Sequence, residues 1–425
     1  MTMVNDSMKV PTWLLVALVL GAASAAACGD ASKGPLPASS SPASSSAAGP
    51  SASTAVNEVA KTLAAGVKLD ADDPTTCEAC HSAVVAEWRE SQHARANHAS
   101  DGVYAALRAL RIEKQGPGIP EKCATCHNPR DTKDHDSAPA KTGVSCATCH
   151  QIDGVHLEDG KKGVAALTTT KDVRFRGPHD IADGTSPVHA SGPSLPELKD
   201  GKTLCLACHG EEKNPAGVTT CSTGTEHASS GETRSCTSCH MDEVQGPSGP
   251  VSSRTTHRSH RFRGSLLALR TGQPGILAEA VELSGTFDGK RFVAKLENRT
   301  GHAYPTGFPG RTAMLEIRGL DAKGEEVYKN LASDPMKDHP EAVLNMAFVD
   351  AEGKPALAAF ATKQVRDNRL KPAETRSIGV DIPDTVAKVE LRLRFVLVPG
   401  PLAKAISYEG PETKPIVLPA VTVAR

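Results

Sequence analysis

Between residues 77 and 240, two cysteines separated by two residues are followed at once by a histidine five times. The copies are Cys77/Cys80/His81, Cys123/Cys126/His127, Cys146/Cys149/His150, Cys205/Cys208/His209 and Cys236/Cys239/His240. Two thiols at this spacing can add across the two vinyl groups of one porphyrin, and the next imidazole is then carried beneath the ring to reach its iron. Histidine is 16 of 425 residues, so five accidental placements have odds of about one in ten million. Zinc knuckles and structural disulfides also use cysteine pairs, but neither requires the trailing histidine. The pattern therefore predicts five covalently attached haem c groups, each held by its two cysteines and by its own histidine as proximal ligand.

What fills the sixth position of each iron separates a carrier from a catalyst. Methionine is a usual alternative to histidine, but within the haem region only Met241 is available, and it adjoins the proximal His240. Bis-histidine ligation is favoured, and eleven histidines remain beyond the proximal five, so counting does not reveal an open site.

Cys77-Glu-Ala-Cys-His81 followed by Trp88-Arg-Glu-Ser91-Gln-His93-Ala94 resembles the opening of the cytochrome c-554 family of multihaem cytochromes. The close second and third motifs, with Gly143-Val-Ser-Cys146-Ala-Thr-Cys149-His150 and then His156, are similar to it as well. The resemblance implies that His93 caps the third haem and His156 the first, a crossed ligation that draws distant chain segments together. It also implies a haem without a distal ligand at Cys123/Cys126, which His135 could close. Arg176-Gly-Pro178 with His189 before Cys205, and Met241 with His257 and His260 after the last motif, are similar to distal-ligand patterns of such cytochromes. They point to His189 and His260 as ligands, with His257 as substitute for the latter.

The elements that must hold these groups divide by composition. Lys9 and the apolar run from Trp13 to Leu20, leading to Ala25-Ala26-Ala27-Cys28, read as a signal peptide over residues 1–28. Its end resembles a lipoprotein box that would lipidate Cys28 and tether the protein to a membrane, with ordinary Ala-x-Ala cleavage as the alternative. The expectation is an exported protein, periplasmic or on the outer membrane or cell surface. Residues 29–69 are dominated by Ser, Ala, Pro and Gly, too poor in apolar side chains to fold alone. A net charge of -1 gives no basic face for nucleic acid.

Residues 70–264 have few aliphatic runs, and the motif starts are 46, 23, 59 and 31 residues apart, so no solenoid repeat applies. An irregular domain of helices and loops is expected, with porphyrins supplying much of its core. Helices are expected over 83–96 and 104–112. Cys221 has no evident partner. Residues 278–425 contain no cysteine and alternate apolar with polar residues at 291–298, 312–320, 377–382 and 389–398. That period of two predicts antiparallel strands packed on one side, hence an immunoglobulin-like β-sandwich and an α+β chain overall. Within it, Gly301-His302-Ala-Tyr-Pro-Thr-Gly307 resembles an element that recurs after haem domains in multihaem cytochromes, which makes His302 a candidate ligand reaching back across the boundary.

The expected function is an exported pentahaem cytochrome passing electrons between redox proteins. The alternative is an oxidoreductase acting on a small nitrogen or sulfur compound at one open haem.

Overall fold

A computed structural model of the chain describes residue 58, residues 61–170 and residues 172–425. The expected leader, Cys28 and most of the linker lie outside the described residues. Among those described, no helix is long and apolar enough to cross a membrane.

Each motif is built on a short helix or helix end, for a geometric reason. Cysteines at i and i+3 and a histidine at i+4 share one helix face, so one turn presents all three side chains to the same flat ligand. Cys146–His150 and Cys236–His240 are helices of this minimal length, while Ile119–His127 and Thr203–His209 end on their histidines. The first motif lies at the start of α1 (Glu78–Glu90). The chain leaves helical geometry at Ser91 (ψ 163°), and His93–Arg95 is a separate 3-10 turn. The helix expected to run to residue 96 thus stops early, and this break turns His93 inward. Gly143 lies against it with φ +65°, and a Cβ there would stand 2.3 Å from the His93 carbonyl oxygen. Only glycine fits that approach.

α2 (Gly102–Gln115) begins where Asp101 accepts a hydrogen bond from the Tyr104 N–H at 2.9 Å and stops at Gly116 (φ 91°). Its Val103, Leu107 and Leu110 pack on the core of the carboxyl-terminal part. Most of the haem part is loop and short strand. Its own aliphatic cluster is small, centred on Ile152, Val155, Ala166 and Ala207.

The carboxyl-terminal part is the two-sheet sandwich that the alternation predicts. One sheet has β1 (Val281–Asp288) and β2 (Arg291–Asn298) beside β5 (Thr375–Asp381), with β2 central. The other is built on β3 (Thr312–Leu320), flanked by β4 (Glu326–Lys329) and β6 (Lys388–Val396), with β7 (Val421–Ala424) paired to β6. Phe292, Ala294 and Leu296 of β2 face Leu315, Ile317, Leu391 and Leu393 across one core, all essentially sealed from solvent. At the hairpin between β3 and β4, Asp321 accepts from the N–H groups of Lys323 and Glu325 at 2.9 Å, and Gly324 supplies the positive φ.

Haem part and sandwich belong to one compact unit within residues 50–425. The segment between them forms helices Ser265–Thr271 and Ile276–Ala280, whose Ala268, Leu277 and Ala280 are buried in the sandwich core. Polar contacts also cross. Asn214 donates to the carbonyls of Ala358 and Ala361 at 2.8 and 2.7 Å, and Glu226 meets Arg369 at 2.7 Å with both side chains largely buried.

Candidate haem sites

All five motifs line one cavity of about 2930 Å³, well beyond the roughly 300–1,000 Å³ of an ordinary ligand pocket. Both parts of the chain enclose it. Trp88, Leu107 and Phe175 contribute from one, Met314, Phe348 and Leu402 from the other. The apolar volume that the haem part lacks in side chains is thus a space between them.

Within that space, histidine rings face each other in pairs. His81 lies opposite His189 with ring centres 6.5 Å apart, His209 opposite His93 at 6.2 Å, His150 opposite His260 at 6.1 Å, and His240 opposite His302 at 6.3 Å. The planes of each pair are 28° to 38° apart. A metal held by two imidazole nitrogens at about 2 Å each sets ring centres about 6.3 Å apart. The four separations match that spacing, and each joins a motif histidine to one from elsewhere in the chain. Each gap fits one six-coordinate iron. By contrast, no group of three or more metal-binding side chains among the described residues converges as a bare zinc ion would need.

In seven of nine rings, the eight paired ones and His127, a bond at the other nitrogen fixes which nitrogen is free. His81 Nδ1 bonds the Ser248 carbonyl at 2.6 Å, His150 that of Arg176 at 2.6 Å, His240 that of Arg263 at 2.6 Å and His127 that of Ala96 at 3.0 Å. His189, His260 and His302 use the carbonyls of Ala190, Arg258 and Ala303 at 3.1, 2.9 and 3.1 Å. A ring that donates from Nδ1 to a carbonyl keeps the lone pair of Nε2 for a metal. Burial favours the same neutral form. It lowers His93 to about 3, helped by His209 and His260, and lowers His209 and His260 to about 4. His127, His150, His189 and His302 are pushed down by burial as well.

The pairing differs from the implied one in two places. His93 faces the fourth motif, not the third, whose partner is His260. His156 faces no iron site. It is exposed, 3.0 Å from Thr168 Oγ1 and 3.2 Å from Glu158. The cause is local: Ile152 and Val155 turn into the aliphatic cluster, which leaves the next side chain outside, and His189 fills the place opposite His81. His257 does not substitute for His260. It is buried between Gly246 O, at 2.8 Å, and Glu87, at 3.3 Å. Glu87 also accepts from the His260 N–H at 2.9 Å, so it steadies that ligand's backbone. Phe262 (φ 49°) packs edge-on against His93 at 4.2 Å and lies 5.8 Å from His260.

His127 has no histidine opposite it among the described residues. Tyr104 stacks on its ring instead, 4.0 Å between centres and 17° between planes. His135, the suggested closure, lies 3.3 Å from Asn128 Nδ2 and does not line the cavity. His98 pairs with Asp136 at 3.6 Å, and His339 with Glu341 at 3.3 Å.

Motifs distant in sequence meet through their thiols. Cys77 and Cys146, Cys126 and Cys208, and Cys205 and Cys236 lie near enough to perturb each other's ionisation, and Cys149 perturbs both Cys205 and Cys208. Glu226 was invisible as a functional residue, because Thr225-Glu226-His227 reads as a polar surface turn. In the fold it accepts from Ala303 N–H at 3.0 Å and Thr306 Oγ1 at 2.7 Å, and it holds the loop that presents His302.

Residues 76–151 match the family model described as cytochrome c554 and c-prime. In fold, the chain is similar to a penta-heme cytochrome c552 from Thermochromatium tepidum, with a TM-score of 0.67 and 24% identity over 82% of this chain and 97% of that one. The fold is that of a multihaem c-type cytochrome. No curated protein matches in sequence. Haem c is the group that these residues fit, with cysteine pairs to bond it and facing imidazoles to ligate it.

Proposed function

We propose that the chain is an exported pentahaem cytochrome that carries electrons between redox proteins. Iron that alternates between two oxidation states supplies the electron storage, and the protein supplies ligation, spacing and insulation. The four facing histidine pairs carry the reading, because two imidazoles on an iron suit it to electron transfer and leave no position for a substrate. The shared cavity that all five motifs line supports a connected path. Export follows from the apolar run before Cys28, and a lipidated Cys28 would keep the chain at a membrane.

A second reading has one observation in its favour. His127 lacks a facing histidine, so the haem of Cys123/Cys126 is the place where a small nitrogen or sulfur compound would meet iron. Mass measurement of the exported protein, with its resting spectrum and cyanide titration, tests both. Five haems with one cyanide-binding centre agree with the arrangement. Turnover of a small oxyanion at that centre would favour the enzyme, and a colourless or zinc-loaded protein would overturn both readings.

A further inference from the structure

Arg311 is a cation without an anion. It leads into β3, and its Nη1 donates to the Thr306 carbonyl at 2.8 Å. Its Nε is buried with no hydrogen-bond partner. The side chain lines the haem cavity beside Gly307, where a Cβ would stand 2.8 Å from Nη1. Arg176, Arg263 and Arg234 on this cavity are neutralised, by Asp153 at 2.7 Å, by Asp242 at 2.9 Å and by Glu232, whereas Arg108 near the second motif shares with Arg311 a buried Nε without a partner. No carboxylate pairs with Arg311 among the described residues.

Desolvating a guanidinium without a counter-charge is strongly unfavourable, so a buried arginine on a cavity wall points to a charge that arrives with the occupant. A porphyrin of this class carries two propionate carboxylates, and the planar fork of arginine matches a carboxylate in bidentate fashion. Thr306, whose carbonyl Arg311 bonds, meets Thr223 Oγ1 at 3.0 Å, and a Cβ on the adjoining Gly224 would stand 3.0 Å from the His209 carbonyl oxygen. The occupant Arg311 faces is therefore the haem of the fourth motif.

We propose that Arg311 is the propionate anchor of the haem held by Cys205 and Cys208, so that the sandwich contributes a charge as well as the His302 imidazole to the redox core. The inference rests on haem attachment at that motif. An arginine paired to a propionate raises the potential of its haem, because positive charge nearby favours the reduced, more negative state. Lys retains the charge but not the fork.

The test is potentiometric titration of the haem-loaded Arg311→Gln and Arg311→Lys proteins, with infrared difference spectra between redox states. Arg311→Gln should lower one component by about ten-fold in its one-electron equilibrium, about 59 mV, with haem content unchanged. Arg311→Lys should keep the potential near the parent's but shift one propionate carboxylate band. If Arg311→Gln loses haem, the Lys variant decides alone. Unmoved potentials in loaded Arg311→Gln, or an unshifted band in loaded Arg311→Lys, would overturn the assignment. A parent protein without haem at the fourth motif would instead overturn the reading on which it rests.

Discussion

Replacing His302 by alanine is the most direct test of how the sandwich enters the redox core. The ring lies 6.3 Å from His240 and is presented by a loop tied down at several points. Asn298 and Thr300 donate to the His302 carbonyl at 2.9 and 2.7 Å, and Glu226 takes the next N–H. Alanine preserves those backbone bonds and removes only the imidazole. The nearby His227 bonds the Arg234 carbonyl through Nε2 at 3.1 Å but keeps a buried Nδ1 without a partner, so the replacement is made with and without His227→Ala to exclude substitution. Of the five proximal rings, four face a second ring in the parent and His127 does not. The open fraction should therefore double, from one haem in five to two in five. Cyanide titration of the oxidised protein, followed by absorption and electron paramagnetic resonance, measures it as bound ligand per haem. An unchanged stoichiometry with full haem content would show that His302 does not ligate iron and would remove the main reason for coupling the two parts.

Further expectations concern the same core. His189→Ala should open one more haem, whereas His156→Ala should leave the spectrum and cyanide stoichiometry at the parent values. Gly143→Ala forces a Cβ to 2.3 Å from the His93 carbonyl at φ +65°; it should lower the thermal midpoint and raise the high-spin fraction, since the displaced segment carries His93. Glu226→Ala leaves Arg369 partly uncompensated in a buried site and should cost about 3–5 kcal/mol, read as a lowered denaturation midpoint. The clamp is also acid-sensitive. Burial acts to raise Glu226, but Arg369 and bonds from Ser222 and Thr306 prevail and hold it below the usual carboxylate value of 4.5. Its contribution is therefore complete above about pH 4.5 and is lost as pH falls through the lower folded value. The stability difference between parent and Glu226→Gln should shrink in that acid range, and a difference constant down to pH 2 would contradict the assignment.

The sequence alone determined the chemistry of attachment and the alternation of the strands. Both are local: a thiol spacing of three residues presents one helix face whatever surrounds it, and period-two patterning defines an inner and an outer surface before any sheet forms. For that reason Arg291–Asn298 and Thr312–Leu320 appear with the bounds their alternation implies. His189, His260 and His302 were legible as candidates from their neighbours, but which iron each faces was not. Ligand pairing joins residues as far apart as His93 and His209, and it depends on breaks such as Ser91 and close approaches such as Gly143, whose effect exists only once other segments are in place. His156 went astray for the same reason. Its neighbours, rather than its own chemistry, decided which way it points. The open side of His127 and the unpaired charge of Arg311 also belong to the tertiary structure, because absence of a partner is a property of a surrounding volume and not of a chain segment.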